Sequence, residues 1–123
     1  MATLTPRLTL SGTAAHYGSA VNLSVDDALG TTNPFSGVSR TSIGTSEQDI
    51  ISDLTTSQTA VTYVYLKNTD DNNAITIATG GSVDVCVLAP GEFMFMPLKG
   101  AVGLKAAAAS SASVLEYAYF TKA

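Results

Sequence analysis

The sequence is short of the residues from which catalytic and metal sites are most often built. Its 123 residues include one histidine, His16, and one cysteine, Cys86. Zinc sites are built from three or four His, Cys or carboxylate ligands, so a site based on His and Cys is close to excluded. A single cysteine also excludes an internal disulfide, and we expect a chain made in a reducing compartment. We therefore expect no metal ion and no cofactor.

Charge and long apolar runs are scarce as well. Charged residues make up 13% of the chain and the net charge is −4. The six basic residues are scattered, so no cluster of them can follow a phosphate backbone, and nucleic acid is not an expected partner. No run approaches the ~20 apolar residues that span a bilayer, and residues 1–20 lack the apolar segment of a signal peptide. We expect a soluble protein with no membrane partner.

Apolar and small neutral residues fill the chain instead. Hydrophobic residues make up 46% of it, and most of the remainder is Thr, Ser and Gly. This composition is typical of one compact β domain with neutral polar outer faces. Because a weakly charged surface repels other copies weakly, we expect other subunits to cover part of it.

The stretch from Val83 to Leu104 predicts much of the core. Residues 83–88 alternate along an extended chain, and the apolar run 93–96 follows after Ala89-Pro-Gly-Glu92. Pro90 and Gly91 suit the two central positions of a type II turn. We expect a hairpin here, with Pro97 ending its second strand because proline has no N–H to donate, and a third strand after it.

Further strands are predicted at 60–68, 74–78, 102–106 and 114–120 from runs of β-branched and aromatic residues. Their spacing indicates an all-β fold: a single-domain antiparallel β-sandwich, jelly-roll-like, with its core in residues 34–123. The alternation places these side chains inside: Val64, Leu66, Ile75, Ile77, Val85, Val87, Phe93, Phe95, Leu104 and Leu115.

Residues 1–33 are predicted to form an N-terminal arm or edge strands. Leu alternates with Thr in residues 3–10, but Pro6 restricts such a strand to a sheet edge. Residues 20–25 predict a strand, and residues 26–34 a loop. Beyond them, residues 38–42 predict a short strand. Residues 49–54 suit either a strand or a helical turn capped by Ser46; the β character of the surrounding chain favours the strand.

We identify no catalytic residue. His16 is most simply a solvated loop residue, and Cys86 a small buried hydrophobe. Asp70-Asp-Asn-Asn73 looks at first like a calcium cluster, but it lacks EF-hand spacing, and we favour a hairpin loop whose side chains satisfy their own backbone. Asp26-Asp27 is weaker still as a metal site, and Gly80-Gly81 lacks the lysine of a phosphate loop.

Aromatic residues offer two further interpretations. Four tyrosines could present a sugar-binding face, although paired tyrosines on neighbouring strands more often pack together: Tyr63, Tyr65, Tyr117 and Tyr119. We assign the alternating Phe and Met side chains of residues 93–96 to the core.

The order of elements from residue 60 to residue 120 resembles a known group of proteins. A Tyr-Val-Tyr-Leu-Lys-Asn strand is followed by a polar loop and Ile-Thr-Ile, then Leu-Ala-Pro-Gly-Glu, Met-Pro-Leu, Val-Gly-Leu-Lys-Ala and a closing Val-Leu-Glu-Tyr strand. This order is similar to that of the small β-sandwich virion proteins of tailed bacteriophages, of the capsid decoration or cement type. The resemblance covers about half of the chain, and no part of it lies in the first 59 residues.

The resemblance implies a structural protein without catalytic residues. A decoration protein is made in the host cytoplasm, binds the major capsid protein on the outer surface of the capsid, and stabilises the shell, here as a homotrimer. The same pattern resembles tail- or fibre-associated β-sandwich modules, so a module that binds a host glycan or another tail protein is the alternative. A cupin-like enzyme is the third hypothesis, and it lacks the several histidines that such a metal site needs.

Overall fold

The computed structural model describes residues 2–12, 21–35, 37–51, 61–100 and 102–123, and these contain strands and no helix. The chain divides into two compact units, Met1–Thr32 with Ala123, and Asn33–Lys122. The described residues form twelve strands: β1 (Ala2–Leu4), β2 (Arg7–Gly12), β3 (Val21–Asp26), β4 (Leu29–Phe35), β5 (Ser39–Ile43), β6 (Gln48–Ile51), β7 (Thr62–Asn68), β8 (Ile75–Thr79), β9 (Asp84–Leu88), β10 (Phe93–Leu98), β11 (Leu104–Ala108) and β12 (Ser113–Lys122).

The first unit consists of two antiparallel pairings. β1 pairs with β4, with Ala2 opposite Thr31 and Leu4 opposite Leu29. β2 pairs with β3 along their full length in a separate two-stranded sheet. Pro6 lies between β1 and β2, where no strand pairing needs its missing N–H.

The second unit is an antiparallel β-sandwich. Its strands form two sheets, one in the order β5-β12-β7-β10 and the other in the order β6-β11-β8-β9. The chain passes from one sheet to the other at every connection from β5 to β12 except the one between β8 and β9. As a result β5 pairs with β12, β6 with β11, β7 with β10 and β8 with β9. The strands therefore wind as one long ribbon of paired strands.

One hydrophobic core lies between the two sheets. Each of the eight strands contributes to it, because alternate residues of a strand point to the same side. The buried cluster contains Ile43, Ile51, Val64, Leu66, Ile75, Ile77, Leu88, Leu98, Leu104, Ala106, Ala108 and Leu115. The all-β sandwich predicted from the sequence is confirmed, as is the burial of six of the predicted core residues: Val64, Leu66, Ile75, Ile77, Leu104 and Leu115.

The sequence analysis assigned the wrong faces of β9 and β10 to the core. Val85, Val87, Phe93 and Phe95 are exposed, by 46%, 59%, 64% and 39% respectively. The opposite faces of these strands point inward instead, with Leu88 and Leu98 buried and Cys86, Met94 and Met96 packed against the core. Both faces of these strands are apolar, so alternation alone does not tell which one the sandwich covers.

The predicted turn at residues 89–92 is confirmed, but it does not close a hairpin. Gly91 has a φ of 81°, and the Glu92 amide donates to the Ala89 carbonyl at 3.0 Å, as in a type II turn. The turn instead carries the chain from β9 in one sheet to β10 in the other. Pro97 does not end β10 either, because β10 lies at a sheet edge within this unit, where a strand tolerates proline.

One further local prediction is wrong, and another extends beyond the described residues. Most of the loop predicted at residues 26–34 forms β4, which runs from Leu29 to Phe35 despite Gly30 and Pro34. Residues 48–51 form a strand rather than a helical turn, while residues 52–54 of the same prediction lie outside the described residues. The short strand predicted near Val38 is confirmed as β5.

Candidate functional site

The face of the first sheet that points away from the core carries a polar network centred on Glu116. Glu116 lies on β12, opposite Arg40 of β5 and Lys67 of β7. Arg40 donates from Nε to Glu116 Oε2 at 3.0 Å, and Tyr65 donates from its hydroxyl to Glu116 Oε1 at 2.8 Å. One carboxylate therefore joins three neighbouring strands. The hydrogen bonds from Tyr65 and then from Arg40 hold the pKa of Glu116 below its ordinary value.

Aromatic side chains continue the same face toward β10. Residues directly opposite each other in an antiparallel pair share a face, and Phe95 lies opposite Tyr65. The ring of Phe95 stacks on Tyr63, with centroids 6.2 Å apart and planes 11° apart. Tyr117 and Tyr119 lie opposite the buried Leu66 and Val64, and both pack against the core. The four tyrosines are thus divided between two faces and do not form one sugar-binding surface.

The loop that follows β7 is fixed by Asn68, which is fully buried. Its Nδ2 donates to the carbonyls of Asn73, at 2.8 Å, and Leu88, at 2.9 Å, while its Oδ1 accepts from the Asp70 amide at 2.9 Å. Its own carbonyl accepts from the amide of Gly91 at 2.9 Å. Asn68 therefore ties the loop, the end of β9 and the 89–92 turn together.

The Asp70–Asn73 loop satisfies its own backbone, as the sequence indicated. Asp70 Oδ2 accepts from the amides of Asn72 at 2.8 Å and Asn73 at 2.6 Å. These two hydrogen bonds, in that order, lower the pKa of Asp70. The loop is not the predicted hairpin, since it crosses from β7 in one sheet to β8 in the other. In the part of the chain that the structure describes, no three His, Cys, Asp or Glu side chains are grouped to hold a metal ion.

A polar groove of about 630 Å³ lies between this loop and the 89–92 turn. Its lining combines two cations, two carboxylates and neutral polar groups: Arg40, Lys67, Asn68, Thr69, Asp70, Asp71, Pro90, Gly91 and Val114. We call this the polar groove.

A second depression opens between the edge strands β9 and β10, which the 89–92 turn connects. It measures about 550 Å³ and is lined by Cys86, Val87, Leu88, Gly91, Glu92, Phe93 and Met94. We call this the edge groove. Burial, and then the negative charge of Glu92, raises the pKa of the Cys86 thiol. A raised pKa leaves little reactive thiolate at neutral pH, so Cys86 offers the groove apolar contact rather than nucleophilic chemistry.

Of the other candidates, His16 lies outside the described residues. Asp26 forms an ion pair with Arg7 at 3.7 Å, with both side chains largely exposed. Gly80 and Gly81 form the turn between β8 and β9, in which the Ser82 amide donates to the Thr79 carbonyl at 2.9 Å. No helix among residues 2–12, 21–35, 37–51, 61–100 and 102–123 is long and apolar enough to cross a membrane.

Comparison of the chain with protein-family models, with curated proteins and with solved structures gives no match.

Sequence reasoning missed Asn68 and the network around Glu116. Asn68 had a readable signal, because it continues the inward-facing series of Val64 and Leu66 at every second position. A polar residue at an inward position must find hydrogen-bond partners. Glu116 had no comparable signal, since its partners lie 51 and 76 residues away in sequence.

The Tyr65 phenol makes folding stability sensitive to alkaline pH. Burial, then the hydrogen bond to Glu116 and its negative charge, raises the pKa of Tyr65 to about 12 from 10.0. The folded state therefore keeps a proton that the unfolded state loses. Stability from this group is fully present below pH 10 and is lost as the pH rises toward 12.

We expect the free energy of unfolding to fall across this window, and to fall less steeply in Tyr65→Phe, which has no phenol to ionise. Urea unfolding at several pH values measures both slopes. Glu116→Gln serves as a second probe, because loss of the carboxylate should move the late absorbance change of tyrosinate to lower pH. Equal slopes for wild type and Tyr65→Phe would show that Tyr65 does not contribute.

Proposed function

We propose that this protein is a capsid decoration protein of a tailed bacteriophage. It is made in the host cytoplasm, binds the major capsid protein on the outer surface of the shell as a homotrimer, and strengthens the shell without catalysing a reaction. The sandwich on which it is built is a jelly roll, an architecture of eight strands in two sheets that is common in viral capsid proteins.

The strand pairing supports the jelly roll. Four pairs of strands lie side by side in nested order, from the adjacent pair β8 and β9 outward to β5 and β12. A long ribbon of paired strands that is rolled into two sheets has this order. The likeness of residues 60–120 to small virion proteins supports the same architecture, since that stretch forms β7 to β12.

The observation that carries the proposal is the exposed apolar surface. Twelve large hydrophobic side chains are exposed among the described residues, and ten of them fall into three groups. One group lies on the paired strands β2 and β3, one on and just before β9, and one on β10, which belongs to the other sheet of the sandwich: Leu8, Leu10, Val21, Leu23 and Val25, then Val83, Val85 and Val87, then Phe93 and Phe95. Grouped exposure of this kind is typical of surfaces that other proteins cover, as in a subunit of an assembly.

The proposal is tested on virions that lack this protein. We expect the purified protein to rebind such particles at regular positions on the shell, visible by cryo-electron microscopy, and to raise the temperature at which the shell opens. Roughly hundreds of copies should bind each particle, since a symmetric shell repeats one site many times. Density on the tail alone, or an unchanged opening temperature, would refute the decoration role.

The polar groove supports one alternative, a tail or fibre module that binds a host glycan. Its cations, carboxylates and neutral polar groups offer hydrogen-bond donors and acceptors for sugar hydroxyls, with Phe93 exposed on neighbouring β10. Binding to a glycan array that is lost in Lys67→Ala and kept in Lys99→Ala would favour this alternative. No binding to any glycan would remove it.

A further inference from the structure

The two sides of the sandwich differ in how their edge strands are covered. On one side the edge strands of this unit are β5 and β6, and Gln48 connects them. Its Nε2 donates to the Ser42 carbonyl at 3.1 Å, and its Oε1 accepts from the Gly44 amide at 3.0 Å. The Ala108 amide of β11 also donates to the Gly44 carbonyl, at 2.8 Å. Hydrogen bonds between the two sheets therefore occupy backbone groups on this side.

The other side, formed by β9 and β10, is open. Each of these strands pairs with one neighbour and ends its sheet within this unit, among the residues that the structure describes. The 89–92 turn connects the two strands, and the edge groove lies between them. Each strand therefore has one edge whose backbone groups face outward from the sheet.

The backbone groups on the open edge of β10 follow from its pairing with β7. The Asn68 amide donates to the Glu92 carbonyl at 2.9 Å, so the backbone of Glu92 faces β7. Successive residues of an antiparallel pair face the partner and then the opposite edge in alternation. The residues of β10 that face the open edge are therefore Phe93, Phe95 and Pro97.

This edge suits an added strand up to Pro97 and no further. Phe93 and Phe95 each direct an N–H and a C=O to the open edge, and both side chains are exposed. An exposed hydrophobic edge of this kind is a template on which another chain can pair. Pro97 has no N–H, and its ring stands where an N–H would reach a neighbouring strand. The stretch that can pair is thereby reduced to residues 93–95, shorter than a usual strand.

The open edge of β9 is interrupted as well, by different means. Its pairing with β8 is irregular between Ile77 and Ala78, where the partner changes from Cys86 to Asp84. Such a bulge bends the strand, and a charged side chain at an edge disfavours pairing with a second sheet. Both edges on the open side thus carry a feature that disfavours an added strand.

We propose that Pro97 prevents β10 of one copy from pairing with β10 of a second copy. The pairing that it prevents is antiparallel about a twofold axis, with Phe95 opposite Phe95 and residue 97 opposite Phe93 of the second copy. Proline removes the hydrogen bond from residue 97 to that Phe93 carbonyl, and its ring contacts the approaching strand. Within its own sheet the proline removes no hydrogen bond, because the nitrogen of residue 97 faces away from β7.

Pro97→Val tests this role, because it restores an N–H and places a β-branched residue at the edge. Its circular dichroism should match wild type. Light scattering coupled to size exclusion should give a wild-type mass that does not change up to high micromolar concentration. The mass of the variant should rise at least about twofold over the same range, since a twofold pairing joins two copies. Pro97→Ala restores the same N–H with a smaller side chain and provides the comparison if Pro97→Val does not fold.

Two further variants locate the association. Pro90→Val replaces an exposed proline of the 89–92 turn, outside any strand, and should keep the wild-type mass. Pro97→Val/Phe93→Glu places a charge opposite residue 97 of the second copy and should return the mass to that of wild type. Within its own sheet the new carboxylate lies opposite Lys67, an oppositely charged residue, so the fold should tolerate it.

Three results would overturn the role of Pro97: folded proline variants that keep the wild-type mass, a wild type whose mass rises as steeply as theirs, or a Phe93→Glu double variant that associates as strongly as Pro97→Val. Each comparison is made against wild type, whatever its number of subunits, and does not depend on the capsid role. Failure of the wild-type protein to bind the capsid would refute the decoration function alone.

Discussion

Asn68→Asp should leave little folded protein at 37 °C. The substitution keeps the shape of the side chain but removes both N–H donors, so the carbonyls of Asn73 and Leu88 face a buried carboxylate. Each buried acceptor without a donor costs about 1–3 kcal/mol, and the buried charge adds to this. We expect a loss on the order of 5 kcal/mol, which is comparable with the whole stability of a small domain.

Low pH should partly rescue this variant, which distinguishes it from a steric defect. Burial beside two carbonyls raises the pKa of the new carboxyl in the folded state, so the protonated form, which regains one donor, is favoured there. The stability regained is present in acid and is lost as the pH rises through the folded-state pKa. Thermal unfolding by circular dichroism at acid and neutral pH measures both effects.

Asn72→Asp is the matched control. It makes the same chemical change four residues away, at an exposed position of the same loop, and should change stability by about 0.5 kcal/mol or less. If Asn68→Asp unfolded within a few degrees of this control, the role assigned to the Asn68 amide would be wrong.

Leu88→Ala should destabilise the protein by about 2–5 kcal/mol, the usual loss when a buried leucine is truncated and a cavity remains. Leu88 is 5% exposed, whereas its neighbour Val87 is 59% exposed. Val87→Ala should therefore change stability by about 0.5 kcal/mol or less. Urea unfolding measures both losses.

A larger loss for Val87→Ala than for Leu88→Ala would mean that β9 presents its valines to the core, as its sequence alone suggests.

The strands that alternation identified correctly are those whose two faces differ. β7 places Val64 and Leu66 inside with Tyr65 and Lys67 outside, and β8 places Ile75 and Ile77 inside with Thr76 between them. For such strands, periodicity decides both the element and its orientation.

In β9 and β10, by contrast, periodicity does not decide which face is buried. Val83, Val85 and Val87 outnumber the apolar residues of the other face, Cys86 and Leu88, so the pattern favours the wrong face. What decides the orientation is the pairing of β9 with β8, where Cys86 lies opposite the buried Ile77. Pairing of this kind is a property of the folded sheet and is not written in the strand itself.

β4 and the site residues were missed for related reasons. Glycine and proline usually predict a loop when only the local sequence is considered. β4 nevertheless contains Gly30 and Pro34, because it pairs with β1. The partners of Glu116 come from two other strands and become neighbours only when the sheet forms. Asn68 alone had a signal in its own strand.

The position of β12 has a consequence for the timing of folding during synthesis. This strand lies between β5 and β7, and it is made after every other strand of the sandwich. Until residues 113–122 leave the ribosome, β5 has no neighbour in its sheet within this unit and the inner face of that sheet has a gap. Only the β8–β9 hairpin can pair early from adjacent sequence. We therefore expect the sandwich to complete its fold after translation of β12, with its apolar strands exposed to chaperones until then.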